Sequence, residues 1–384
     1  MKTRTRLVFA LTLLALPSLE PRLSQTFAQG SLTPPGAPAP TMKTLSQIEP
    51  RTPISSLPFT LGAPGAYYVT TNLTGTAGTN GITISSGNVT LDLNGFALAG
   101  VPGSLTGIYA SSGYTNITVR NGTVSGWGGS GVDLYSGGYS YNVLVEHVNV
   151  SGNGGGGIFI LNNGVVRDCL VASNLATGIY INNGLISGCT ACGNGYFGIS
   201  ANNSVVRDCT VAFSGQTGIW LIGGSLAKDC AVQSSTYNGI NVDNSTACDC
   251  QVLSSQDYGI YLQDGTVSGC LVQGSGASGI NVDSDDCSVL NNNCQGNNTT
   301  RSASEAGISV YGNNNQIEGN HVTGSGLSGA GYGIHVNTLS GNNVIIKNNV
   351  AGNGGNNYAI VTGNDLGPVG VAATATSPWA NISH

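Results

Sequence analysis

Five aspartates crowd one stretch of this chain: Asp243, Asp264, Asp283, Asp285 and Asp286. They follow a polar turn that reads Asn162-Asn163, Asn182-Asn183 and Asn202-Asn203 in earlier repeats and then becomes acidic. On a stacked scaffold, carboxylates on adjacent rungs would lie about 5 Å apart and those two rungs apart about 10 Å. These separations bracket the carboxyl pairs that cleave glycosidic bonds, so Asp243, Asp264, Asp285 and Asp286 are candidate acid/base residues. Mutual repulsion is relieved by a shared proton or by a hard cation, which makes Asp283, Asp285 and Asp286 a candidate calcium set. Asp is also a good turn residue in its own right, and a purely conformational role stays open.

A second row carries the apolar chemistry. The residue after each repeat's leading apolar position is Tyr109, Phe159, Tyr180, Trp220, Tyr261 or His335, with Ser200, Asn241 and Asn281 between them. Strand alternation turns this row away from the core. Aromatic faces spaced about 5 to 10 Å apart match the pitch of a glycan chain and give sugar rings a stacking surface. Aromatic residues also favour strand surfaces for packing alone.

Both rows depend on elements that repeat. A Gly-Ile pair or close variant places its apolar residue at Ile82, Ile108, Val132, Ile158, Ile179, Ile199, Ile219, Ile240, Ile260, Ile280, Ile308, Ile334 and Ile360. The step is shortest and most regular from Ile158 to Ile280 and is longer on either side of that stretch. Within a unit the period is two, as in Val89-Thr90-Leu91-Asp92-Leu93 before the turn pair Asn94-Gly95. Units this short hold no crossover helix, so each is one coil of about three strands in an all-β parallel solenoid of about 13 coils. Parallel crossovers are almost always right-handed, which favours a right-handed coil.

Composition agrees. The 384 residues include 59 Gly, and charged residues are only 8% of the chain. A 40% apolar content with a net charge of -6 argues against disorder. Glycine at about 1 kcal/mol per helical position argues against helical bundles. Without a basic face a nucleic-acid partner is excluded.

The first residues read as a targeting segment. Lys2, Arg4 and Arg6 precede the apolar run Leu7 to Leu16, and cleavage after Ala28 fits the small-residue rule. No later run is apolar enough for a transmembrane span. The expected organisation is a signal peptide (1–28), a Pro-rich linker (29–41), an N-terminal cap (42–66), the solenoid (67–364) and a C-terminal cap or tail (365–384). The expected location is secreted or cell-surface, the periplasm included.

Over roughly residues 66–362 the sequence resembles the right-handed parallel β-helix repeat proteins of the pectate-lyase-like superfamily. The resemblance rests on Val89-Thr90-Leu91-Asp92-Leu93-Asn94-Gly95 and on repeats such as Gly178-Ile179-Tyr180-Ile181-Asn182-Asn183. It implies the fold; relatives include lyases, hydrolases, epimerases, tailspikes and non-catalytic surface proteins, so activity is not implied. Asp285-Asp286-Cys287 is similar to the acid/base element of the polygalacturonases, but no Gly-His-Gly follows, and Asn320-His321-Val322 is the nearest match.

Cys169, Cys189, Cys209, Cys230, Cys250 and Cys270 recur at the same step as the isoleucines of those coils. That spacing predicts a column at an inward turn, continued by Asn320 and Asn348. Buried thiols acting as small hydrophobes, disulfides involving Cys192, Cys248, Cys287 or Cys294, and metal binding by the column all stay open. The alternating set Arg167-Asp168, Arg207-Asp208, Lys228-Asp229 and Asp249 reads as a surface salt-bridge lattice.

Three functional readings follow. The first is an exported protein that binds extracellular polysaccharide or a cell-surface glycan through the aromatic row and the acidic turn, with cleavage or modification of the polymer left open. The second is a non-catalytic surface spacer or adhesin. A calcium-stabilised scaffold is the third.

Overall fold

The structure, a computed structural model, describes residues 49–135, 140–300, 304–326 and 331–384. The signal segment and linker expected at 1–28 and 29–41 lie outside the described residues. Period-two patterning shows directly in burial: Ile179 and Ile181 are buried while Tyr180 and Asn182 are half-buried. Among the described residues forty short strands form this way, and there is no α-helix.

Three strands make one coil. Ile179–Asn182, Leu185–Ser187 and Thr190–Cys192 are followed by Ile199–Asn202, Val205–Arg207 and Thr210–Ala212. Each strand pairs in parallel with its counterpart in the next coil. Ile158, Ile179, Ile199, Ile219, Ile240, Ile260 and Ile280 are successive register partners and are 0% exposed. Each such burial contributes about 1.5 to 3 kcal/mol, so the column is the axis of the core.

Glycine precedes these isoleucines for a steric reason. A Cβ at Gly218 would lie 2.3 Å from Val232 Cγ1 and 2.6 Å from the Gly239 carbonyl oxygen, so a side chain there would force the next coil away.

The ends differ from the expected caps. From Thr52 onward the predicted N-terminal cap is ladder: Thr52–Ile54 pairs with Gly65–Val69, and Phe59–Leu61 pairs with Ile82–Ile84. Phe59-Thr60-Leu61 keeps the alternation but lacks the Gly-Ile pair, which concealed it. At the other end Asp365–Leu366 pairs with Val344–Ile346, and Asn381–Ser383 with Asn349–Ala351. Residues 365–384 therefore extend the ladder instead of only covering it.

Inside the turn before the third strand, the residues in one register are Cys169, Cys189, Cys209, Cys230, Cys250 and Cys270, then Asn292, Asn320, Asn348 and Asn381. The register follows from the pairing of the residues immediately after them. All are buried, and all ten cysteines are free thiols, which removes the disulfide alternative. Among the described residues no helix is long and apolar enough to cross a membrane.

Candidate functional site

The Gly-Ile strands stack into one sheet whose outward row is fixed by register. Tyr109, Asp133, Phe159, Tyr180, Ser200, Trp220, Asn241, Tyr261, Asn281, Ser309 and His335 are consecutive partners along it. Phe159 and Tyr180 stack at 6.0 Å, and Tyr135 meets Tyr180 edge-on at 5.6 Å. Phe197, from the turn entering its strand, packs at 4.6 Å against Trp220.

Beyond Trp220 the row opens into a groove of about 580 Å³ lined by Tyr237, Asn238, Asn241, Tyr258, Tyr261, Asn281, Asp283 and Tyr311. The preceding turn supplies one wall. Tyr258 stacks on Tyr261 at 5.8 Å, and its backbone N–H donates to Asn238 Oδ1 at 3.2 Å. Asn238 Nδ2 in turn donates to Asn241 Oδ1 at 2.7 Å, which fixes the floor. The Tyr261 hydroxyl donates to Asp283 Oδ2, joining the aromatic row to the acidic turn. Asn281 is only 2% exposed, yet its Oδ1 accepts no hydrogen bond.

A longer coil builds the far wall. Between Ile280 and Ile308 the repeat is longer than between Ile260 and Ile280, and the added chain brings in Glu305. Glu305 Oε2 accepts from the Ser278 hydroxyl at 2.5 Å and from the Ser278 N–H at 3.2 Å. Burial, then the charge of Glu305, raises the Asp257 carboxyl and the Tyr258 and Tyr311 hydroxyls above their ordinary pKa values. Burial and the bond to Asp283 raise that of Tyr261. His335 stacks on Tyr332 at 4.9 Å; burial lowers its pKa, and its Nδ1 lacks a partner.

The expected acidic column is not one column. Asp243 pairs in register with Gln263, and the N–H of Asp283 donates to Leu262 O on the next coil, so Asp243 and Asp283 stand two rungs apart. Asp264 falls one residue later, at φ 53°, and accepts from Ser284 Oγ at 2.5 Å. Asp285 accepts from the backbone N–H and side-chain amide of Asn313 at 2.7 and 3.1 Å, and Asp286 sits at a left-handed turn position with φ 56°. Asp243 and Asp264 therefore lie on adjacent coils offset by one residue, because the register partner of Asp243 is Gln263. The calcium set fares likewise: Asp283 and Asp285 are engaged separately. Among the described residues no three Asp, Glu, His or Cys side chains converge to hold a metal ion.

The sequence reading missed Tyr237, Tyr258 and Tyr311 of the groove, and the nearby Glu305. Two signals pointed to them: tyrosines one or two places before the Gly of a repeat, and the jump in coil length at Ile280. On another face of the coil, Arg167 pairs with Glu146, Arg207 Nη1 with Asp208 at 2.9 Å and Lys228 Nζ with Asp249 at 3.5 Å. The last two are ordinary surface ion pairs, whereas Glu146 is buried beneath Arg167.

Residues 106–252 match the family model described as right handed beta helix region. The fold is a right-handed parallel β-helix. Among solved structures, this β-helix is similar to the A-module of Azotobacter vinelandii mannuronan C-5 epimerase AlgE4. That similarity has 17% identity and a TM-score of 0.50, and covers 84% of this chain and 91% of the other. The corresponding A-module of AlgE6 from the same organism matches at 18% identity over 84% and 91%, with a TM-score of 0.46. The catalytic domain of a GH87 alpha-1,3-glucanase in complex with tetrasaccharides matches at 12% identity over 70% and 63%, with a TM-score of 0.49. No curated protein matches the β-helix. At these identities the likeness is one of fold.

Proposed function

We propose that this chain is an exported protein that binds extracellular polysaccharide along the outward face of its Gly-Ile sheet. One sugar residue would be seated in the groove between Tyr237 and Tyr311. The observation that carries this reading is the groove itself: about 580 Å³ of open space flanked by Tyr258 stacked on Tyr261, with Asp283 and Asn281 at its base. Tyrosine rings present apolar faces and polar rims, the combination a sugar ring requires. Phe159, Tyr180 and Trp220 continue the surface along the chain direction of a bound polymer. The fold shared with a mannuronan epimerase module adds support, since that protein acts on a polysaccharide.

Carboxylate geometry favours binding over hydrolysis by Asp243 and Asp283. Two rungs separate Asp243 and Asp283 by roughly 9.6 Å along the ladder, at the outer edge of the spacing inverting enzymes use and well beyond that of retaining ones. The same observation keeps the adhesin reading alongside as a binding protein without chemistry.

The test is affinity electrophoresis of the mature chain through a panel of polysaccharides. Tyr258→Ala and Tyr261→Ala should each weaken retention about tenfold, as removal of a stacking aromatic does. Unchanged retention across the panel overturns the proposal. Release of reducing ends or unsaturated sugars in the same samples would add catalysis to it.

A further inference from the structure

The charge around the groove selects among glycans, and this step rests on the polysaccharide reading above. From Asp229 to Thr300 the sequence contains no Lys or Arg. The same coils carry Asp243, Asp257, Asp264 and Asp283, and the sequence of the coil above adds Arg301 and Glu305. A polyuronate or sulfated polymer laid here would meet carboxylates with no basic partner in that stretch, at a like-charge cost.

We propose that the groove recognises a sugar bearing a free, protonated amine, the unit of a glucosamine-type polymer. Four phenol rings, Tyr237, Tyr258, Tyr261 and Tyr311, surround the space, and a cation over such faces is attracted to their negative quadrupoles. Asp283 uses one oxygen to accept from Tyr261 and keeps acceptor capacity for an ammonium donor, a charge-assisted bond stronger than a neutral one. Asn281 Oδ1 is the second, independent sign. A buried carbonyl oxygen without a donor is costly, and an ammonium group has three donors to offer where an acetamido nitrogen has one. A neutral hexose would satisfy the rings but leave the potential of Asp283, Asp257 and Glu305 unused.

The experiment is calorimetric titration of the full mature chain with hexasaccharides of equal length: glucosamine, N-acetylglucosamine, neutral glucose and uronic acid. The glucosamine oligomer should bind at least about tenfold tighter than its acetylated form at mildly acidic pH. Raising the pH past the amine's titration, or raising salt, should remove most of that margin. Asp283→Asn, nearly the same shape, should bring glucosamine binding down to the acetylated level with an unchanged melting temperature. If acetylated or neutral oligomers bind as tightly, or if Asp283→Asn leaves the preference intact, the amine specificity is wrong while the glycan reading stands. Tightest binding of the uronic-acid oligomer refutes it outright. Binding of none of the four takes down both.

Discussion

Coils from Cys169 to Cys270 and coils from Asn292 to Asn381 fill the same inward turn with different chemistry. The thiols bond to carbonyls within their own coil: Cys169, Cys209 and Cys250 donate to the carbonyl two residues back at 3.2, 3.1 and 3.2 Å. Their reach to the neighbouring coil is longer, 3.7 Å from Cys169 to the Val145 carbonyl. The asparagines bond between coils. The Asn320 side-chain amide donates to Asn348 Oδ1 at 3.0 Å, and Asn348 to Asn381 Oδ1 at 3.2 Å, with backbone N–H groups adding a second bond at each step. Thiols therefore link adjacent coils only through weak S–H bonds along the column, whereas asparagines link them with paired amide and backbone bonds. The coils with asparagine at this turn are also the longer ones, as the steps between Ile280, Ile308 and Ile334 show against those between Ile199, Ile219 and Ile240. Longer loops cost more chain entropy to close. The groove straddles the change, with Tyr237 and Tyr258 on the thiol side and Tyr311 on the asparagine side.

Breaking the asparagine run should have the largest effect. Asn320→Leu strands the Val289 carbonyl and both donors of Asn292, and should cost about 3 kcal/mol in urea denaturation. A loss below about 1 kcal/mol would erase the distinction between the two regions. Cys209→Ala removes volume and weak S–H bonds from a filled column and should cost about 1 kcal/mol. A cost equal to that of Asn320→Leu would mean the thiols also tie coils together.

The smallest effect sharpens the comparison through pH. A hydrogen bond with Cys169, reinforced by burial, pushes the Cys189 thiol up to about 12, and burial raises that of Cys294. A raised thiol stays protonated in the folded chain while the unfolded one ionises above about 9. Its stabilising contribution is therefore fully present below pH 9 and is lost between pH 9 and about 12. Denaturation midpoints should fall over that window, and Cys189→Ala should make the fall shallower. An unchanged slope would remove Cys189 from the titration.

Much of this was legible from residue spacing. The recurring Gly-Ile pair, enforced by contacts such as that of Gly218 with the Gly239 carbonyl, announced coils, register and the outward aromatic row. Coils without that pair were invisible, which is why Phe59–Leu61 read as a cap. The site was half legible. Tyr261 and Asp283 were both singled out, but as members of separate rows, because the bond between them depends on how a turn folds over a strand. Glu305 comes near the groove through an insertion, and an insertion has no period to read. Asp264 shows another limit: it falls one place after Gln263, the register partner of Asp243.

Stacking by identical backbone steps has a consequence for how such a molecule can vary. Gain or loss of one whole coil leaves every remaining pairing intact and changes the length of the exposed face by about 4.8 Å. Reach along a polymer is therefore adjustable only in whole steps, and deletion of the coil that contains Ser200 would bring Tyr180 directly beneath Trp220.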